Sequence, residues 1–200
     1  MRVVAGSVRG FNLIVPSGKN TRPTTNRIKE TLFNILQWDI AGCRFLDLFS
    51  GSGGIAIEAL SRGAKEAVMV EKDREAVRCI KQNVQHTKMD DRSRVMPMDV
   101  MQALRRLEQA GRPFDIIFMD PPYHLDLEER IVPYLLQSSL VKAGSLIIVE
   151  TALDTDVDYM YELGCEVERI KEYKTNRHVF LRVPGETEAS RIRKCGTRKL

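Results

Sequence analysis

The sequence predicts an α/β fold: a doubly wound, mostly parallel sheet of seven strands, closed by a C-terminal antiparallel hairpin and preceded by a small N-terminal β-hairpin extension. Two observations carry this. From Arg44 onward, short apolar runs alternate with segments of helical period, the pattern of parallel βαβ units with helices on both faces of one sheet. After Glu150 that alternation stops, and two strand-like runs follow each other with only a short break. With 43% hydrophobic residues in 200, the chain can bury a full core.

The elements follow in order. Residues 1–15 alternate weakly around Gly6 and Gly10 as a small hairpin, within an extension over residues 1–20. Pro23 and Thr24 lead into a helix whose Ile28, Leu32, Ile35 and Leu36 share a face. Five strands are expected at "RFLDLF" (44–49), "EAVMVE" (66–71), "SRVMPM" (93–98), "FDIIFMD" (114–120) and "SLIIVET" (145–151). Helical registers between them run through Ala76, Ile80 and Val84, then Val100, Leu104 and Leu107, then Leu127, Ile131 and Leu135. A short helix near 154–163 precedes "CEVERIKEYKT" and "HVFLRV", with Asn176 and Arg177 at the turn between them. The main domain is thus placed at 21–183. The polar tail, 184–200, lacks periodicity and is expected to be disordered.

Composition narrows the class. No 18-residue apolar run exists, and the N-terminus lacks the pattern of a signal peptide, so a cytoplasmic protein is expected. Cys43, Cys79, Cys165 and Cys195 form no C-x-x-C pair, and His86, His124 and His178 share no metal-ligand spacing; no metal and no disulfide framework are assigned. The net charge of +4 is unevenly spread. Residues 1–30 hold Arg2, Arg9, Lys19, Arg22, Arg27 and Lys29 against Glu30 alone, and "ASRIRKCGTRKL" carries five basic residues and no acid. Basic ends suit a polyanion such as nucleic acid, and equally suit plain solubilising charge.

"DLFSGSGGIAIEAL" carries Gly51-x-Gly53-x-x-Ala56 at a strand-to-helix junction, where glycines permit a tight turn and close approach of backbone amides to a ligand. Glu71, twenty residues past Gly51, stands where a ribose-binding acid belongs. Taken alone, this also fits a nicotinamide dinucleotide. Asp47 argues otherwise: a carboxylate ahead of the glycines would crowd a pyrophosphate but suits the ammonium and sulfonium of S-adenosylmethionine. Asp99 is placed to accept from an adenine amino group, or simply to cap the next helix. Asp47, Glu71, Asp99 and Asp120 end four successive strands and are expected to line one crevice. Met96, Met98 and Met101 are read as core filler rather than cofactor contacts.

The fourth strand stops on Asp120-Pro121-Pro122-Tyr123. An exocyclic amine on a nucleobase is a poor nucleophile, because its lone pair is delocalised into the ring. Two acceptors aimed at its two N–H bonds orient it and favour a pyramidal nitrogen. The Asp120 carboxylate and the Pro121 carbonyl can be those acceptors, in a backbone that the two prolines restrict. Tyr123 can stack on the base, and Asp120 can take the released proton. His124 gains no role.

These residues together resemble the class I S-adenosylmethionine-dependent amino methyltransferases, with their Rossmann-like sheet. The likeness is closer still to the RsmD-type enzymes, which methylate the exocyclic N2 of a guanine in bacterial 16S ribosomal RNA. It extends over "MRVVAGSVRGFNL", "RPTTNRIKETLFNIL", "DLFSGSGGIAIEALSRGA" and "DPPY", about residues 1–183. The resemblance implies that Asp47, Gly51, Ser52 and Gly53, with Ser50 in the same turn, hold the methionine part of S-adenosylmethionine. It implies Glu71 at the ribose and Asp99 at the adenine, with Thr24 bordering the cofactor. Asp120, Pro121, Pro122 and Tyr123 would hold the target base, and Arg2, Arg9, Arg22 and Arg27 the RNA. The implied partner is 16S rRNA or a small-subunit assembly intermediate, met by a monomer. The family often has alanine in place of Ser50 and Gly54, small-for-small changes expected to disturb little. The basic tail is not part of the likeness. A DNA amino methyltransferase acting on adenine N6 or cytosine N4 is the alternative, since D-P-P-Y serves there too; 200 residues leave little room for a DNA target-recognition domain. An NAD-dependent oxidoreductase is opposed by Asp47 and D-P-P-Y, and a non-catalytic RNA-binding protein by the intact Asp120 and glycines.

Overall fold

The computed structural model describes residues 1–17 and 26–185. Five parallel strands, β1 (Arg44–Asp47), β2 (Glu66–Val70), β3 (Ser93–Met96), β4 (Ile116–Met119) and β5 (Leu146–Ala152), are joined by β6 (Glu166–Glu172) and β7 (Asn176–Arg182) in the order β3-β2-β1-β4-β5-β7-β6. β7 runs antiparallel to both β5 and β6. This is the expected seven-stranded sheet with its antiparallel closure. The strand order reverses between β1 and β4, which opens a crevice at their carboxyl ends.

The helices α1 (Asn26–Ile35), α2 (Gly54–Ser61), α3 (Arg74–His86), α4 (Val100–Gln109) and α5 (Leu127–Gln137) cover the two faces. Side chains alternate across a strand, so Phe45, Met69, Ile116 and Phe118 join a core with α1, α2 and α3. Leu46, Val68, Ile117 and Met119 join the opposite core with α4 and α5. Burial on both faces is why the central strands read as unbroken apolar runs.

Several expected boundaries move. β1 ends at Asp47 and β4 at Met119, so Leu48, Phe49 and Asp120 belong to the turns at the crevice. The stretch expected as a helix near 154–163 holds only a 3-10 turn, Asp158–Glu162. Asn176 and Arg177 lie inside β7 rather than at the hairpin turn. Asn176 pairs with Ala152 across the sheet, and the reversal is closed one step earlier by Tyr173 N–H donating to the Asn176 carbonyl at 2.8 Å.

The N-terminal hairpin is a ribbon with one antiparallel bridge, Arg2 to Asn12, and few regular rungs. It is irregular because it pairs with helices as much as with itself. Ser7 N–H donates to the Ser61 carbonyl at 2.8 Å, and Ile14 N–H to the Asn83 side chain at 2.8 Å. Gly6, at φ +85, sits so close to α2 that an added Cβ would lie 1.9 Å from the Ser61 oxygen. Glu58 of α2, fully buried, accepts from the Val4 and Ala5 amides and from Arg62. Its remaining partner is Lys29 of α1, also fully buried, whose ammonium lies 3.2 Å from Glu58 and donates to the Arg2 carbonyl at 2.6 Å. Lys29, counted among the basic residues suited to a polyanion, is therefore an internal tie. The expected apolar face of α1 is right in Leu32 and Leu36, and it also takes in Phe33. Most of the basic tail (residues 186–200) and residues 18–25 lie outside the described residues.

Candidate active site

The crevice between β1 and β4 is a cavity of about 500 Å³. Asp47, Ser50, Gly51, Ser52, Glu71, Asp99 and the run Asp120 to Tyr123 all line it. The strand ends bring together the four acids as expected. The cavity also takes in Glu150 of β5 and Asn176 of β7, which the sequence reading did not single out. Glu150 stands inside β5 rather than at its end, so no local pattern marks it.

The glycine turn is tight because Gly51 and Gly53 occupy positive φ, +52 and +79, which side-chain-bearing residues adopt only with strain. Gly53 N–H donates to the Ser50 carbonyl at 2.7 Å, and the Ser50 hydroxyl to the Asp47 carbonyl at 2.9 Å. Gly53 caps α2 with no side-chain acceptor, so the first amides of that helix face the cavity end of the turn without a cap. A Cβ on Gly54 would stand 2.3 Å from the Met1 sulfur, so alanine there requires Met1 to move. The Met1 thioether is the far end of a flexible side chain, so that shift is a small one.

Asp47 is 1% exposed, and neither of its carboxylate oxygens has a hydrogen-bond partner within the protein. Burial and the nearby Glu71 carboxylate raise its pKa to about 7. The amides of Phe49 and Ala56 and the Ser50 hydroxyl, close by but outside hydrogen-bonding geometry, offset this only in part. A buried carboxylate without a donor calls for a cationic or hydrogen-bonding partner from outside the chain. Glu71 is already engaged: one oxygen accepts from Gly51 N–H at 2.8 Å, the other from Asp73 N–H at 2.8 Å. Each oxygen keeps a second lone pair for a further donor. Asp99 serves as the N-cap of α4, accepting from Met101 N–H at 2.9 Å, while still lining the cavity. Met98 lines the cavity as well, so of the three methionines read as filler, this one faces the site.

On the neighbouring strand end, burial, then Glu150, then Asp47 push the Asp120 carboxyl well above the usual range. Pro121 is buried and Pro122 exposed. Beyond Tyr123 the chain passes through His124 and Asp126 at positive φ, +61 and +50, which turns it back into α5. Such strain in non-glycine residues beside a cavity accompanies functional loops. Arg2, Arg9 and Arg27 are exposed. Thr24 and Arg22 lie outside the described residues. Among the described residues, no cluster of three metal-ligating side chains occurs, and no helix is long and apolar enough to cross a membrane.

The family model described as conserved hypothetical protein 95 matches residues 1–182. The ribosomal RNA small subunit methyltransferase D of Haemophilus influenzae is 37% identical over 155 residues, 77% of this chain and 80% of that protein. Among solved structures, a hypothetical protein of Thermus thermophilus superposes with a TM-score of 0.78 at 35% identity, over 92% of this chain and 99% of that one. An RNA methyltransferase of Salinibacter ruber, in complex with S-adenosyl-L-homocysteine, shares the fold at a TM-score of 0.65 and 16% identity, over 83% of this chain and 96% of that one.

Proposed function

The chain belongs to the conserved hypothetical protein 95 family, with the small subunit methyltransferases D among its relatives, and from that premise we propose that it transfers a methyl group from S-adenosylmethionine to the exocyclic N2 amine of a guanine in 16S ribosomal RNA. One observation carries the reading. The donorless buried carboxylate of Asp47 and the clamp at Asp120 face a single cavity, at the two strands where the sheet reverses.

When bound, S-adenosylmethionine supplies a methyl group on a positively charged sulfur. Asp47 offers its unpaired oxygens to the positive end of the ligand, and the uncapped amides of α2 offer donors to a carboxylate. Glu71, held by Gly51 and Asp73, has lone pairs left for the ribose hydroxyls, and Asp99 would accept from the adenine. At the adjoining strand end the Asp120 carboxylate and the Pro121 carbonyl would accept the two N–H bonds of the target amine and aim its lone pair. Tyr123 stacks on the base, an interaction worth about 1–3 kcal/mol. The displacement is direct and in line, so positioning and charge supply the catalysis, and Asp120 receives the proton. Arg2, Arg9, Arg22 and Arg27 contact phosphates of the RNA.

The reading is tested by offering labelled S-adenosylmethionine with small-subunit rRNA, assembling subunits or duplex DNA. Label entering RNA or subunits supports it. Label entering DNA alone sinks it in favour of adenine N6 or cytosine N4 chemistry.

A further inference from the structure

Behind the clamp lies a buried polar chain that none of the roles above uses. Glu150, 5% exposed, stands two residues before the end of β5 on the cavity wall. One of its oxygens accepts from the Tyr123 hydroxyl at 3.3 Å and from the Asn176 side-chain amide; the other accepts from His178 Nε2 at 2.9 Å. Antiparallel pairing sets Glu150 opposite His178 and Ala152 opposite Asn176, so β7 supplies both donors. His178 is fully buried, edge-on to Phe118 with ring centroids 5.9 Å apart, and its Nδ1 lies 3.3 Å from the Tyr173 hydroxyl. Burial and Glu150 push the Tyr173 hydroxyl up to about 12, so it keeps its proton and donates to Nδ1. With a hydrogen on Nε2 aimed at the Glu150 carboxylate, Nδ1 is the acceptor for that hydroxyl.

A carboxylate held from three sides, on the wall of a reaction cavity, is an expensive arrangement for a merely structural strand residue. Besides Asn176, its neighbours within the cavity are the aromatic arm of the clamp and the Asp120 carboxyl. We propose that Glu150 is a positioning residue for the transfer: it fixes Tyr123 over the target base, and its charge makes Asp120 the group that accepts the proton shed by the amine. This rests on the methyl-transfer reading above. As the amine nitrogen forms its bond to the methyl carbon, the carbon–sulfur bond breaks and its electron pair stays on sulfur. One N–H proton then leaves the nitrogen for an Asp120 oxygen. A like charge close by strengthens that oxygen's hold on the proton. The charged and titratable groups around Asp120 are Glu150 on β5 and Asp47 on β1, with Tyr123, His178, Asn176 and Tyr173 acting through Glu150.

The test is kcat for methyl transfer to rRNA as a function of pH, with KM for RNA and cofactor affinity measured alongside. Glu150→Gln keeps an acceptor for Tyr123 but removes the charge. Its acid limb is expected to move to lower pH by about one unit or more, with KM for RNA little changed. Glu150→Asp keeps the charge but withdraws it from Tyr123, so the limb stays near the wild-type position while KM for RNA rises. Tyr123→Phe also raises KM for RNA and leaves the limb in place. Wild-type cofactor affinity in all three variants shows an intact pocket. A Glu150→Gln profile that superimposes on wild type, or moves to higher pH, overturns the assignment while leaving the methyltransferase reading intact. A wild-type protein that transfers nothing to RNA overturns both.

Discussion

Asp47 is a carboxylate held against its own solvation preference. Its pKa is raised from 3.8 to about 7, so the folded protein binds this proton more tightly than the unfolded chain does. The resulting stability is fully present below about pH 4 and is lost as pH rises towards 7. Asp120, raised in the same direction, adds to the trend. In the cofactor-free protein, Asp47→Asn is expected to flatten the pH dependence of the urea midpoint between pH 4 and 7. At pH 8 it should stabilise the fold by roughly 1–4 kcal/mol, while weakening S-adenosylmethionine binding at least about tenfold. Ionisation of Asp47 on binding also predicts a cofactor affinity that improves as pH rises to about 7 and then levels off, which calorimetric titration at several pH values will read. Asp120→Ala, by contrast, is expected to abolish transfer with cofactor affinity nearly unchanged, because its side chain serves the base. A large loss of cofactor binding in that variant would put Asp120 at the wrong end of the cavity.

At the scale of elements, the N-terminal ribbon is tied to α1 and α2 through the buried Lys29–Glu58 pair. Lys29→Ala removes the buried ammonium and leaves Glu58 to Arg62 and the Val4 and Ala5 amides, so it is expected to cost about 1–3 kcal/mol in chemical denaturation. Its partial replacement, Lys29→Met, should leave the salt dependence of RNA binding unchanged, since the ammonium never reaches solvent. Arg2→Ala with Arg9→Ala should do the opposite: stability hardly moves, and the slope of log affinity against log salt falls by about one to two units. An unchanged slope removes the ribbon from the RNA contact. The sequence spelled out the helical face of Leu32 and Leu36 because apolar spacing reports burial directly. It did not spell out Lys29, since a lysine inside that face looks like any solvated cation until Glu58, 29 residues on, is seen to oppose it. The hairpin turn was misplaced for a related reason. Asn176 has the composition of a turn residue, but in the sheet its amide is consumed by Glu150.

At the scale of the whole molecule, the fold was legible because its central strands are buried on both faces and most of its helices on one, and both patterns survive in sequence. The four acids were legible because each closes an apolar run, and the sheet's topology then gathers run ends into one crevice. Glu150 and His178 were not, because their meaning depends on an antiparallel register between β5 and β7 that local sequence does not encode. The same sheet that brings Asp47 and Asp120 to one cavity sets the ligand's positive end and the base's amine at adjoining strand ends, and the central claim is that a methyl group crosses there. The most direct measurement is to methylate small-subunit rRNA with labelled S-adenosylmethionine, digest it to nucleosides and identify the labelled one. N2-methylguanosine is expected from the wild-type protein and none from Asp120→Ala; label on any other nucleoside, or equal label from the variant, contradicts that transfer.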